Sequence, residues 1–325
     1  MNKPIKRIGV LTSGGDAPGM NAAIRAVVRG CLYRGIECVG IRRGYNGLIN
    51  GDILRMDAGT VTHIINRGGT ILYTARSDEF RTEEGQLRAA ATCKLLGLDG
   101  IVAIGGDGTF RGAEALAKTG VSVVGVPATI DNDIACTDYT IGFDTASNTA
   151  VDAIDRLRDT MQSHERCAVV EGMGRNAGHL ALYVGLAVGA TAVLMPELPM
   201  DFDRDVVEKI RRARLAGKTH FMIVVAEGAG KAIEIGEQIH EELGLDPRVT
   251  ILGHIQRGGT PTARDRVMAT RMGYTAVEVL LAGKTNRVIC SQHGSMVDVD
   301  IEEGLSMKKG LNQQQCDALA AMTGL

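Results

Sequence analysis

Eight short β-branched runs of this chain read as strands, several of them apolar at nearly every position, and helical patterns fall between them. The runs are RIGVLT (7–12), ECVGIR (37–42), GIVAIG (100–105), VSVVGV (121–126), CAVVEG (167–172), FMIVVAEG (221–228), RVTILG (248–253) and NRVICS (286–291). A strand with one wet face alternates polar and apolar residues; runs without alternation are expected of parallel strands covered on both faces. The intervening segments 21–34, 83–96 and 146–161 carry helical periodicity. The last puts Ala150, Ile154, Leu157 and Met161 on one stripe, with Asp152 and Arg156 spaced for an i,i+4 ion pair. Repeated βα units define an α/β, doubly wound architecture. At 325 residues the chain is long enough for two ordinary domains, but no low-complexity linker or compositional shift marks a boundary.

Composition removes several function classes. A formal net charge of -2 gives no general attraction to nucleic acid or anionic lipid, so an anion site must come from local arginines. Trp is absent and aromatics are 3%, which argues against base-stacking platforms. The seven cysteines are odd in number, scattered and never spaced as CxxC, which fits reduced thiols in a cytosolic protein and neither a disulfide framework nor a zinc site. The start, MNKPIKRIGVLTSGG, enters a strand without a signal-peptide core, so a cytoplasmic location is expected. The longest uncharged stretch (180–196) contains Gly185 and Gly189 and stops at Pro196; a buried helix followed by a short strand is expected there, not a membrane span.

In open α/β sheets, ligands bind where loops leave the carboxyl ends of strands. Here those loops are TSGGDAPG (12–19), GGDGT (105–109), PATIDND (127–133), EGMGRNAG (171–178), AEGAG (226–230) and GHIQRGG (253–259). All are rich in Gly, Asp or Arg, and they are expected to converge on one edge. The glycines of TSGGDAPGMN let backbone N–H groups approach a phosphate near a helix start. The loop lacks the GxGxxG dinucleotide pattern, and no Walker sequence occurs anywhere. In GGDGT the glycines permit close passage of a polyphosphate, and Asp107 can hold Mg²⁺; its bland reading is a helix N-cap.

In TIDND an extended segment would place Asp131 and Asp133 on one side, roughly 6–7 Å apart. Such a pair suits one general base and one metal-linked acid, whereas Asn132 alone suits an ordinary Asx turn. Arg76, Arg166, Arg175, Arg248 and Arg257 sit in or beside the expected strand ends, where a phosphorylated substrate needs guanidinium forks. His254 and Glu227 belong to the same loops. Residue patterning leaves each of these open between site and solvated surface.

Taken together, GVLTSGGDAPGMNAAIR, INRGG, IGGDGT, TIDNDI, TDYTIGFDTA, MGRNAG and LGHIQRGG resemble, in order from Gly9 to Gly259, the bacterial-type ATP-dependent 6-phosphofructokinases. The resemblance implies two βα domains with the active site in the cleft between them. Residues 1–142 plus 256–306 would form the larger, ATP-binding domain, and 143–255 plus 307–325 the smaller, fructose 6-phosphate-binding one. It assigns Gly15, Tyr45, Arg76, Arg81, Gly106, Asp107, Gly108 and Thr109 to the nucleotide and Asp107 to Mg²⁺. Asp131 becomes the base for the sugar 1-hydroxyl, with Thr129, Asp133, Arg76 and Arg175 in the catalytic set. Fructose 6-phosphate would be held by Thr129, Asp131, Met173, Gly174, Arg175, Glu227, His254 and Arg257. Arg166 and Arg248 would reach in from a neighbouring subunit of a homotetramer.

The resemblance also bears on donor and control. Pyrophosphate-using relatives carry Asp and Lys where this chain has Gly108 and Ala128, so ATP is the expected donor. Ser77 stands where an aromatic is usual, which puts the adenine packing in question. The family's effector pocket, which binds ADP and phosphoenolpyruvate, is matched by Arg25, Arg29, Arg158 and Lys218. Ala58, Thr191 and Ala216 stand where two cations and a metal-binding acid are usual, so weak or altered control is expected. The competing readings are a pyrophosphate-dependent phosphofructokinase and a silent nucleotide-binding regulatory subunit; a lipid or NAD kinase would share GGDGT but not TIDND or GHIQRGG.

Overall fold

The computed structural model describes residues 4–323. The chain forms two compact units: unit 1 runs to Thr129 and includes Ile134–Asp144 and Arg257–Lys309, while unit 2 comprises Ile130–Asp133, Thr145–Gln256 and the residues from Gly310. Unit 1 opens with β1 (Arg7–Thr12), α1 (Met20–Tyr33), β2 (Glu37–Ile41), α2 (Gly44–Asn50), β3 (Ile53–Met56), α3 (Glu83–Leu95), β4 (Gly100–Gly105), α4 (Asp107–Lys118) and β5 (Val123–Pro127). Helix α5 (Phe143–Ser163) carries the chain into unit 2. There follow β6 (Cys167–Gly172), α6 (His179–Ala187), β7 (Ala192–Leu194), α7 (Glu208–Leu215), β8 (Phe221–Ala226), α8 (Ala232–Leu243) and β9 (Arg248–Ile251). The chain then returns to unit 1 with α9 (Ala263–Leu281), β10 (Arg287–Gln292), β11 (Ser295–Asp300) and α10 (Ile301–Ser306), and α11 (Gln313–Thr323) lies in unit 2.

The sheet of unit 1 has the order β11-β10-β5-β4-β1-β2-β3, parallel except for β3 and β11, which pair antiparallel at its two edges. The sheet of unit 2 is β7-β8-β6-β9, parallel throughout. Seven of the eight runs are interior strands, and every residue of β4 and of β8 is buried, as helix cover on both faces requires. The eighth, RVTILG, is instead the edge strand β9, and its residues are mostly exposed because nothing pairs beyond it in that sheet among the described residues. Each unit has its own core. In unit 1 Leu11, Ile41, Ile101, Phe110 and Leu116 pack with Val288 and Ile301. In unit 2 Val169, Ile210, Phe221, Ile223 and Ile239 pack together. The Ala150, Ile154 and Met161 positions of α5 are buried, and Asp152 pairs with Arg156 at 3.0 Å on its exposed side.

One expectation is corrected. The six glycine-rich loops do not leave a single sheet: three follow β1, β4 and β5 in unit 1, and three follow β6, β8 and β9 in unit 2. The reason is that β6 pairs with β8 and β9, not with any strand before it.

The returning segment is held into unit 1 by a buried carboxylate. Asp265, fully buried in the first turn of α9, accepts hydrogen bonds from the Tyr139 hydroxyl (2.5 Å) and the Gly142 N–H (2.7 Å). Burial, and then the Asp265 charge, push the Tyr139 hydroxyl above the ordinary tyrosine range, so it stays a donor. Asp265→Ala leaves both donors buried without this acceptor and is expected to cost about 2–4 kcal/mol, read as a lowered urea midpoint. An unchanged midpoint would show that the returning segment does not depend on this carboxylate.

Candidate active site

In unit 1 the loops after β1 and β4 are built against each other. The Ser13 N–H donates to the Ile104 carbonyl at 3.0 Å, and the Thr109 hydroxyl donates to the Ser13 carbonyl at 3.0 Å. Gly105 lies inside this crossing, where a Cβ would sit 2.3 Å from Thr109 Oγ1 and 2.4 Å from the Ser13 carbonyl oxygen. Only glycine allows the approach. Helix α4 begins at Asp107, and its N-cap is Gly106. Asp107 is therefore a first-turn acid, not the cap that the bland reading supposed. Its side chain is exposed, and beside it a Cβ on Gly108 would meet nothing within 4 Å.

Tyr45 belongs beneath this loop. It is 5% exposed, stacks on Phe80 with ring centroids 4.2 Å apart, and donates its hydroxyl to the Thr109 carbonyl at 2.6 Å. Burial raises its pKa, so it stays a donor. Tyr45 packs under α4, and the nucleotide contact expected of it does not suit a buried, hydrogen-bonded ring.

The segment carrying Arg76 is tied down by side chains that the sequence reading passed over. Asn21, 1% exposed in α1, donates to the Arg67 and Gly68 carbonyls, both at 3.1 Å, and accepts from the Ile71 N–H at 2.8 Å. Thr12 bonds Thr70 (2.8 Å) and the Tyr73 carbonyl (2.9 Å), and Thr74 donates to the Gly14 carbonyl at 2.6 Å. Arg76 emerges exposed two residues later, and its guanidinium makes no hydrogen bond or ion pair among the described residues. Ser77 accepts the Phe80 N–H at 3.2 Å, a local turn contact. Arg81 is exposed and faces Asp78 at 3.6 Å. Arg257 Nη1 donates to the Asp16 carbonyl at 3.1 Å and crosses Gly15 so closely that a Cβ there would lie 2.6 Å away. The structure thus brings Gly15 and Arg257 together.

TIDND is not extended. The strand ends at Pro127, Ala128 bridges to Ile141, the chain turns at Ile130 and Asp131, and Asn132 is left-handed with φ 50. The alternation argument for the two acids therefore fails. Asp131 is 2% exposed and Asp133 half-buried, so their surroundings differ. The Thr129 carbonyl accepts from the Thr140 hydroxyl at 2.7 Å. Ala128 is fully buried, so packing in the core also bears on its size, whereas a Cβ on Gly108 would meet nothing within 4 Å; Gly108 carries the stronger argument about room for a donor.

In unit 2, Met173, Gly174 and Arg175 follow β6, with Gly174 at φ 140 and Arg175 at φ 54. Glu227, just after β8, accepts the Gly174 and Arg175 N–H groups on Oε1 at 3.2 and 2.7 Å, leaving its other oxygen. The Arg175 side chain is exposed and without hydrogen bond or ion pair among the described residues, and His254 is exposed. Arg166 and Arg248 lie elsewhere. Arg166 immediately precedes β6, and Arg248, which pairs with Asp246 at 3.0 Å, opens β9 opposite Ala168. Both mark the amino ends of adjacent strands, roughly 23 Å (Arg166) and roughly 17 Å (Arg248) of strand away from Met173. They do not share the carboxyl end with Arg175 and Glu227, as strand-end patterning suggested.

Of the expected effector residues, Arg25 is half-buried and Arg29 exposed on α1, neither with a hydrogen bond or ion pair among the described residues. Arg158 donates to the Val188 carbonyl at the C-cap of α6, a helix-end role that cations fill well. Lys218 is exposed, and the Thr191 hydroxyl accepts the Met222 N–H at 3.2 Å.

Among the described residues, no group of three or more His, Cys, Asp or Glu side chains could cage a metal ion. A single exposed carboxylate such as Asp107 still suits Mg²⁺, which keeps waters and takes oxygens from phosphates. No helix among the described residues is long and apolar enough to cross a membrane.

A family model described as Phosphofructokinase matches residues 7–280. The chain is 55% identical over 313 residues to an ATP-dependent 6-phosphofructokinase of Clostridium botulinum, covering 96% of this chain and 98% of that one. It is 56% identical to ATP-dependent 6-phosphofructokinase 1 of Clostridium perfringens, over 95% and 97% of the two chains. Among solved structures it resembles the Pichia pastoris phosphofructokinase in the T-state, with TM-score 0.90 and 34% identity over 99% of this chain. It spans only 40% of that yeast chain.

The crossing at Gly105 gives a direct test. Gly105→Ala forces a methyl onto a backbone carbonyl that cannot swing away, so a loss of about 1–3 kcal/mol is expected, read as a lowered thermal midpoint. A variant as stable as the parent would mean the two loops are free to separate.

Proposed function

The chain belongs to the phosphofructokinase family, and on that premise we propose that it transfers the terminal phosphoryl group of ATP to the 1-hydroxyl of fructose 6-phosphate, yielding fructose 1,6-bisphosphate and ADP. The observation that carries this reading is 55% identity, over nearly the whole chain, to a protein named ATP-dependent 6-phosphofructokinase. Unit 1 is proposed to bind ATP and unit 2 the sugar phosphate. The reaction needs charge neutralisation and alignment more than covalent help, which matches a few exposed arginines and one base.

Asp131 is the proposed base, taking the proton of the 1-hydroxyl, with Thr129 and Asp133 in support. Arg76 would meet phosphate oxygens beside the Gly15 backbone, with Gly106, Gly108 and Thr109 keeping the loop close and Arg81 nearer the nucleotide. Tyr45 would act indirectly, by fixing the first turn of α4. Asp107 would hold magnesium, which when bound neutralises charge on phosphate oxygens. Met173, Gly174, Arg175, Glu227 and His254 would hold the sugar phosphate, with Arg257 at Gly15. Supporting these roles, the Arg76 and Arg175 side chains are exposed and make no hydrogen bond or ion pair among the described residues.

A homotetramer is proposed from the resemblance of the chain to this family. Arg166 and Arg248 stand at the opposite strand ends from Arg175, which is compatible with their serving a neighbouring copy's site instead of their own. Control by ADP and phosphoenolpyruvate is proposed to be weak, because Arg158 is engaged at a helix end and Ala58, Thr191 and Ala216 supply neither charge nor a metal ligand.

A coupled assay with fructose 6-phosphate should give turnover with ATP and little with pyrophosphate; the reverse preference, or none with either, would overturn the reading. Asp131→Ser should lower kcat by several orders of magnitude with little change in either KM, and near-normal turnover would remove the base assignment. In the same assay, phosphoenolpyruvate at physiological levels should inhibit weakly. Strong inhibition relieved by ADP would show that an effector site persists.

A further inference from the structure

We infer that Gln256 is a positioning residue for the sugar-phosphate half of the site, an inference that rests on the function proposed above. Gln256 lies in the short 3₁₀ turn Gly253–Arg257, two residues after His254, and is fully buried. Its Oε1 accepts the Met173 N–H at 2.8 Å. The next two backbone donors of the same loop, at Gly174 and Arg175, go to Glu227 Oε1 at 3.2 and 2.7 Å. Three successive N–H groups after β6 are therefore held by side chains arriving from the ends of two other strands. This loop needs such holding. Gly174 and Arg175 both have positive φ, and apart from one turn bond from the Ala177 N–H to the Gly174 carbonyl at 2.9 Å no helix or strand fixes their course.

The other half of the Gln256 amide shows that packing alone does not explain the residue. Nε2 is buried and has no hydrogen-bond partner among the described residues. Gln256 lines a cavity of about 10 Å³ whose other walls include Ala150, Ile154, Val170, Leu180 and Leu252. A space of that size holds at most one water, and this one offers a water too few polar partners. An unbonded buried donor is unfavourable, and an apolar residue of the same length would avoid it. What such a residue lacks is the acceptor for Met173. A glutamate would supply the acceptor but bury a charge among apolar side chains. Glutamine is the side chain that holds the loop while staying neutral. Through it, the turn bearing His254 and the loop bearing Arg175 share one register, and both face the proposed sugar phosphate.

The test uses the full chain and its Gln256→Met variant, with Gln256→Glu as the acceptor-retaining control. In Gln256→Met the KM for fructose 6-phosphate should rise about fivefold to tenfold, the range expected for one lost hydrogen bond, while kcat and the KM for ATP stay within about twofold. Amide exchange at Met173 should accelerate in Gln256→Met and return toward the parent rate in Gln256→Glu. Equal shifts in both KM values, or a lowered unfolding midpoint with unchanged KM and exchange, would overturn the positioning role. If the unaltered chain itself fails to turn over fructose 6-phosphate with ATP, the functional reading fails. The exchange rate at Met173 then still decides whether Gln256 holds the loop.

Discussion

The complete burial of β4 is the constraint on which the candidate nucleotide loops depend. With β1 on one side and β5 on the other, its backbone is fully committed to the sheet. Its apolar side chains are committed to the layers above and below. The chain can change direction only after Gly105, and there the neighbouring β1 loop already occupies the space. The two loops must then interpenetrate: Thr109 reaches under to the Ser13 carbonyl, and glycine is forced at the crossing. The position of Asp107, exposed at the start of α4, follows from this crowding and not from a capping preference of its own.

The same logic separates what the sequence revealed from what it concealed. Central strands were readable because burial on both faces imposes unbroken apolar runs; β1, β4 and β6 coincide with those runs to the residue. The edge strands β3 (ILRM) and β11 (SMVDVD) were not, since one face of each is partly wet and their pairing is antiparallel. The passage between units was hidden for a related reason. It falls inside α5, an ordinary amphipathic helix, and both units use the same strand and helix composition.

Within the site, residues carried by sequence motifs were legible, while those acting through the backbone were not. Asn21 and Gln256 stand in plain view inside GGDAPGMN and GHIQRGG, yet their targets are carbonyl and N–H groups of distant loops, which leave no trace in sequence spacing. Tyr45 failed in the opposite sense. A signal was available in Gly112, whose missing side chain makes room for the Tyr45 ring at 2.5 Å, but only the fold links the two. The arginines divide likewise: being near a strand end is readable, but which end matters more. Arg166 and Arg248 occupy the amino ends of neighbouring strands.

The return of residues 257–309 to unit 1 has a consequence for the order in which this molecule is made. By Ile251 all four strands of unit 2 have been synthesised, whereas unit 1 still lacks α9, β10 and β11. At about 5–20 residues per second, the wait between the end of β5 and the start of β10 lasts roughly 8–32 s. Throughout it β5 has no partner on the side that β10 will cover, and α1 lacks the helix that packs against it at Gly30. The sheet of the second unit can thus be completed while the sheet of the first still lacks two strands. The N-terminal strands must remain unaggregated on the ribosome until a segment almost at the other end of the chain arrives to close them.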